Sequence, residues 1–176
     1  MLVFDTGPLR HFAVQGWLGV LKFIAAGRTV VVPESVEDEL DHQTHEQPAI
    51  RQVLSADWIT VDRRSDIDFL IAFATYEDRL VADGKNRGEC GVLALGKVLG
   101  WEVVLDDNVA RTIAEEDGLH VTCTLSLLCD AIRAKQLTVA MVEALADDLL
   151  EGDYYLPFRA GGFRRWALEE GHLDFE

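Results

Sequence analysis

Val103-Val104-Leu105-Asp106-Asp107 reads as a β-strand that ends abruptly in two acids. A hundred residues earlier, Met1-Leu2-Val3-Phe4-Asp5-Thr6-Gly7-Pro8-Leu9 has the same form with one acid. In an open parallel α/β sheet, residues just past the carboxyl ends of the strands line the crevice where ligands bind. Acids at two such ends can therefore share one crevice, and a set of crowded carboxylates suits a hard divalent cation.

Working outward from these two stretches, short β-branched runs alternate with longer stretches of helical period. That alternation predicts an α/β fold with a central, mostly parallel sheet of four or five strands flanked by helices. The expected strands are 2–5, 29–32, 58–61, 102–105 and 119–122. Trp17, Val20, Leu21 and Ile24 repeat at helical spacing before a stop at Gly27. Ile67, Leu70, Ile71 and Ala74 form a second such stripe, and Val142, Leu145, Ala146 and Leu149 a third. Ser35 can cap a helix beginning at Val36, and Thr138 starts another once the sheet is complete. The expected organisation is residues 1–137 as the main domain, with 138–176 as a helical C-terminal extension of the same domain, broken at Gly161-Gly162.

At 176 residues with 49% hydrophobic and 27% charged side chains, the chain has the size and composition of one globular domain. No apolar run is long enough to span a membrane, and the start lacks the basic and apolar regions of a secretory signal, so a cytoplasmic protein with no membrane partner is expected. Cys90, Cys123 and Cys129 sit in apolar stretches and read as small buried hydrophobes in a reducing compartment. The five histidines are scattered, and most are expected at the surface or in turns.

The formal net charge of −15 runs against nucleic-acid binding through phosphate contacts, unless basic patches survive locally. Arg79, Lys85 and Arg87 precede Glu89, and Arg111 follows the Asp pair. Arg159, Arg164 and Arg165 lie among Phe158, Phe163 and Trp166 near the end. Lys85, Arg87, Arg164 and Arg165 are the candidates for contact with RNA or with a protein partner, against the bland alternative of solvated helix faces.

The acids separate by their surroundings. Asp5 follows three apolar residues and can cap the next helix, with the Thr6 hydroxyl at the same spot. Within the dense run Glu34–Asp41, Glu39 lies beside the Val36–Leu40 stripe, whereas Glu37, Asp38 and Asp41 point outward. Glu89 would open a helix over 89–99 just past Gly88, where a helix dipole favours an anion. Of Asp106 and Asp107, one can cap the following helix while the other faces the crevice. Carboxylates about 5 Å apart repel by roughly 3 kcal/mol per pair at an effective dielectric of about 20, so such a cluster calls for a compensating cation. Magnesium or manganese supplies one and can promote phosphodiester hydrolysis. The chain has no Ser/His/Asp spacing, no Gly-rich phosphate loop and no zinc-type His/Cys spacing.

The order of these motifs resembles the PIN-domain family. Hydrophobic-Asp5-Thr6-x-Pro8-Leu9 comes first, then Val31-Val32-Pro33-x-x-Val36-x-x-Glu39-Leu40. Arg87-Gly88-Glu89 with Leu93-Ala94-Leu95 follows, then Leu105-Asp106-Asp107-x-x-Ala110-Arg111-x-x-Ala114. Val121-Thr122-Cys123-Thr124-Leu125 is similar to the family's closing strand and helix, with Cys123 in place of the usual Gly. The resemblance spans roughly residues 1–137, and the tail with Gly161-Gly162-Phe163 is similar to that of one prokaryotic subgroup. It implies a three-layer PIN-like fold and a metal-dependent ribonuclease, often the toxin of a toxin–antitoxin pair. By resemblance the four family acids fall on Asp5, Glu39, Glu89 and the Asp106/Asp107 pair. Asp107 is favoured as the catalytic member of that pair, and Asp5, Glu89, Asp106 and Asp107 are expected at Mg2+ or Mn2+. Thr6, Thr124 and Arg111 are expected in support, with RNA as substrate, a cognate antitoxin and a homodimer as partners.

Two rivals remain. A PIN-fold scaffold could keep the acids and act through a protein partner by way of the aromatic and basic tail. An acid-site enzyme on small phosphate compounds is disfavoured. A haloacid-dehalogenase type needs a second Asp two residues after the first, where Gly7 stands, and a receiver domain needs its acid pair in an early strand.

Overall fold

The computed structural model describes residues 1–80 and 86–174. Five strands, β1 (Leu2–Phe4), β2 (Val30–Pro33), β3 (Ile59–Asp62), β4 (Glu102–Val104) and β5 (Val121–Thr122), form one sheet. The sheet is parallel throughout, in the order β3-β2-β1-β4-β5. Ten helices surround it among the described residues. All of β1 and β2 is buried, as expected of central parallel strands covered on both faces, while the edge strand β3 is half exposed.

Between the strands lie α1 (Thr6–Val14), α2 (Leu18–Ile24), α3 (Glu34–Gln43), α4 (Arg51–Leu54), α5 (Ile67–Leu80), α6 (Arg87–Leu99) and α7 (Asn108–Glu116). After β5 come α8 (Thr124–Arg133), α9 (Val139–Glu151) and α10 (Phe163–Glu169). Helix α6 packs against β1, β2 and β4 as well as α3 and α5, which brings the first turn of α6 towards the carboxyl ends of the central strands. Thr138 caps α9 by accepting from the Met141 amide at 3.2 Å, and Gly161, at φ +71°, lies in the break before α10. The α9 stripe Val142, Leu145, Ala146, Leu149 is buried as its period predicts.

Two local expectations are corrected. Strand β5 is shorter than 119–122, because Gly118 adopts φ +69° and the Leu119 amide closes the end of α7 on Ala114 O at 2.9 Å. On α5 the helix forms as expected, but Ile67, Leu70 and Ile71 are exposed, at 68%, 49% and 60%. The helix instead buries Phe69, Ala72, Tyr76 and Leu80. Its sequence holds two apolar stripes, and the one carrying the aromatic rings takes the core. Among the described residues no helix is long and apolar enough to cross a membrane.

Candidate active site

The parallel register sets the site. Phe4 pairs with Val104, and the Asp5 amide donates to Val104 O at 3.3 Å, so the acids after β1 and β4 emerge side by side. Asp5 is 7% exposed and caps α1 by a long bond from the Gly7 amide at 3.4 Å. Its Oδ1 is buried without a hydrogen-bond partner. Burial holds the Asp5 carboxyl well above the usual carboxylate range, and the charges of Glu89 and Glu39 push it further, against a smaller opposing pull from the Thr6 and Gly7 amides.

Glu39 is brought to this point from α3. Its Oε2 accepts from Thr6 Oγ1 at 2.6 Å and its Oε1 from the Gly88 amide at 2.7 Å. Gly88 makes room for this junction: a Cβ there would lie 2.7 Å from Glu39 Oε2 and 2.9 Å from Thr6 Oγ1, so the two side chains would have to shift. Glu89 follows in the first turn of α6. Burial raises its carboxyl, its own backbone amide offsets part of that, and Glu39 and Asp107 raise it further. Asp5 thus feels Glu89 and Glu39, and Glu89 feels Glu39 and Asp107.

The Asp pair divides its work. Asp107 is exposed and caps α7, its Oδ1 accepting from the Ala110 amide at 2.9 Å. Asp106 turns towards the C-terminal side. It accepts from the Thr124 amide at 2.7 Å, from Thr124 Oγ1 at 2.6 Å, and from the Tyr154 hydroxyl. Thr6 and Thr124 therefore each hold one acid of the crevice. As the side chains stand, no group of three or more His, Cys, Asp or Glu among the described residues is arranged to hold a metal ion.

The expected basic contacts are dispersed. Arg87 pairs with Glu77 at 2.5 Å and lies over the Phe73 ring, while lining a cavity that Glu39 shares. Arg165 pairs with Glu169 on α10 at 2.7 Å, and the backbone amide of Arg164 meets Glu143 of α9 at 3.5 Å. Neither tail arginine contacts an acid of the crevice, whereas Arg111 lines the cavity beside Asp106. Lys85 lies outside the described residues.

Sequence reasoning missed two residues. Tyr154, buried against Asp106, has its hydroxyl raised well above the usual range by burial and by the Asp106 charge. His11, one of the scattered histidines, is half-buried, and its ring lies 4.7 Å from that of Tyr154. Burial and the Arg10 charge lower its imidazole to about 4. The only local signal for Tyr154 was an aromatic pair just after a helix, which does not name its partner. All three cysteines are free, with Cys90 and Cys129 buried and Cys123 half-buried beside Ser126.

A family model described as a PIN domain, DUF3368, matches residues 1–159, a span that includes α9 and Tyr154. Neither the curated proteins nor the solved structures contain a match.

Proposed function

For a chain that belongs to the PIN-domain family, of which nuclease action is the general activity, we propose a divalent-metal-dependent endoribonuclease that hydrolyses RNA phosphodiesters at the crevice of Asp5, Glu39, Glu89 and Asp107. The observation that carries this reading is Asp5: a buried carboxylate with one oxygen lacking any donor, surrounded by two further acids. Burial and the neighbouring acids disfavour the charged form of Asp5, so its ionised state is one that a cation in that position stabilises.

The donor set fits magnesium or manganese, since every side chain it offers is an oxygen ligand and no soft sulfur ligand is among them. Asp5, Glu89 and Asp107, with Asp106 as the alternative to Asp107, would hold the ion. When bound, it supplies positive charge to the scissile phosphate and a water of lowered pKa. The chain's own residues do the positioning. Thr6 and the Gly88 amide fix both oxygens of Glu39, which orients that carboxylate as the proton acceptor at the edge of the crevice. Asp107 is held at the α7 N-terminus by Ala110, and the Asp5 oxygen without a donor stays available. Thr124 steadies Asp106, and Arg111 offers a cation for a phosphate next to the crevice.

A cytoplasmic toxin of a toxin–antitoxin pair is the specific form we propose. A second reading, a scaffold with little catalysis, is favoured by the exposed Ile67, Leu70 and Ile71 face of α5, an apolar surface suited to an antitoxin or a second copy. Incubating the purified chain with a panel of RNAs and manganese separates the two. The nuclease reading expects cleavage that chelation stops, and that Asp107→Asn lowers by orders of magnitude. Intact RNA under all conditions, with a protein partner still captured, would favour the scaffold. A monomeric mass at micromolar concentration removes the homodimer.

A further inference from the structure

We propose that the cavity beneath the C-terminal extension, beside Asp106, is a subsite for the nucleobase next to the cleaved phosphate. The proposal rests on the nuclease reading and adds the place that holds a base and the side chains that form it. The cavity measures about 520 Å3, within the roughly 300–1,000 Å3 typical of small-molecule sites. It lies between the first turn of α8 and the segment that joins α9 to α10. Asp106 lines the cavity and is the chain neighbour of Asp107, which links this space to the proposed acid crevice. Leu149 and Trp166 supply apolar surface, Ser126 a hydroxyl and Arg111 a cation.

Tyr155 is the decisive residue. The segment after α9 has its side chains alternating in burial: Tyr154 and Leu156 are buried and Tyr155 is 76% exposed. The Tyr154 hydroxyl bond to Asp106 anchors this segment, and Tyr155, which borders the same cavity, is open to solvent. A large exposed ring beside a cavity of mixed apolar and polar lining, Glu115 and Glu170 included, suits an unpaired base, one face stacked and its edge hydrogen-bonded.

The charge of the molecule points the same way. With a formal net charge of −15, broad phosphate neutralisation is not how this chain would hold RNA. Arg64, Arg79 and Arg87 are each committed to carboxylates. Arg111 makes no ion pair among the described residues. At this subsite the exposed Tyr155 ring would supply stacking and Arg111 the cation for the phosphate.

The test is fluorescence anisotropy of the full chain with a labelled unpaired oligoribonucleotide and with the same oligomer made abasic. Calcium replaces magnesium, and manganese-dependent cleavage is followed in parallel. Tyr155→Ala should weaken binding of the intact oligomer by about tenfold or more. It should erase the preference over the abasic oligomer, while Tyr155→Phe, which keeps the ring, should retain both. The side chain is exposed, so the fold is not at stake, and a melting curve verifies this. Equal binding of intact and abasic oligomers by the wild type, or unchanged affinity in Tyr155→Ala, overturns the subsite even if cleavage is present. Absence of both binding and cleavage overturns the nuclease reading and the subsite together.

Discussion

Thr6 Oγ1 and Glu39 Oε2 lie 2.6 Å apart although 33 positions separate them in the chain. This bond joins the first residue of α1 to α3 and holds Glu39 near Asp5. A hydrogen bond to a charged group contributes about 1.5–3 kcal/mol. Thr6→Val keeps the shape and removes the donor, so metal-dependent RNA cleavage should fall by about tenfold or more. Thr6→Ser should retain most of it. Equal rates for the two variants would show that the hydroxyl does not serve the site.

Gly88→Ala tests the same junction from α6. Alanine is the better helix former by about 1 kcal/mol, yet its Cβ would fall 2.7 Å from Glu39 Oε2. The carboxylate must move away. Thermal denaturation should show a fold and a manganese response close to those of the wild type, while cleavage is reduced. Undiminished cleavage would mean that the placement of Glu39 does not serve the reaction.

Asp5→Asn removes a buried charge whose Oδ1 has no partner. Without metal, the variant should melt higher than the wild type, since about 1 kcal/mol corresponds to roughly 2–4 °C for a chain of this size. With a divalent ion at a hundredfold excess over its Kd, the wild type should gain about 2.7 kcal/mol by mass action. The variant should gain far less. Parallel melting curves with and without magnesium or manganese decide it.

The pH dependence of stability should carry the mark of His11. Its imidazole is lowered from 6.5 to about 4 by burial and by Arg10. The unfolded chain therefore binds a proton at a higher pH than the folded one, and stability rises with pH wherever that holds. The contribution is fully present above about 6.5 and is lost as pH falls from there through about 4. His11→Phe keeps a ring beside Tyr154 and cannot be protonated, so urea denaturation of this variant should show a shallower loss between these two values. An unchanged slope would assign the acid sensitivity to other groups.

Much of this protein was legible along the chain, and the reason is local. Strands β1, β2 and β4 announce themselves as apolar runs that end at Asp5, Pro33 and the Asp106-Asp107 pair, because a strand buried on both faces cannot alternate. Thr138 and Gly161-Gly162 mark helix boundaries, because caps and positive φ demand particular side chains. Glu39 could be separated from Glu37, Asp38 and Asp41, because a helix face is a matter of spacing.

What spacing could not decide is which of two apolar faces is covered and which distant groups meet. On α5, Ile67, Leu70 and Ile71 have the period of a core stripe yet stand in solvent, while Phe69, Ala72, Tyr76 and Leu80 are buried. Periodicity reports what shares a face, and only packing against α6 chooses the face. The division of labour between Asp106 and Asp107 was likewise closed to the sequence. It depends on Thr124 and on Tyr154, the latter 48 positions away, whose hydroxyl reaches Asp106 only after α9 has packed and the chain has turned back. Local backbone geometry follows from neighbours along the chain, whereas a carboxylate's partners are set by where the completed sheet and its helices bring their ends together.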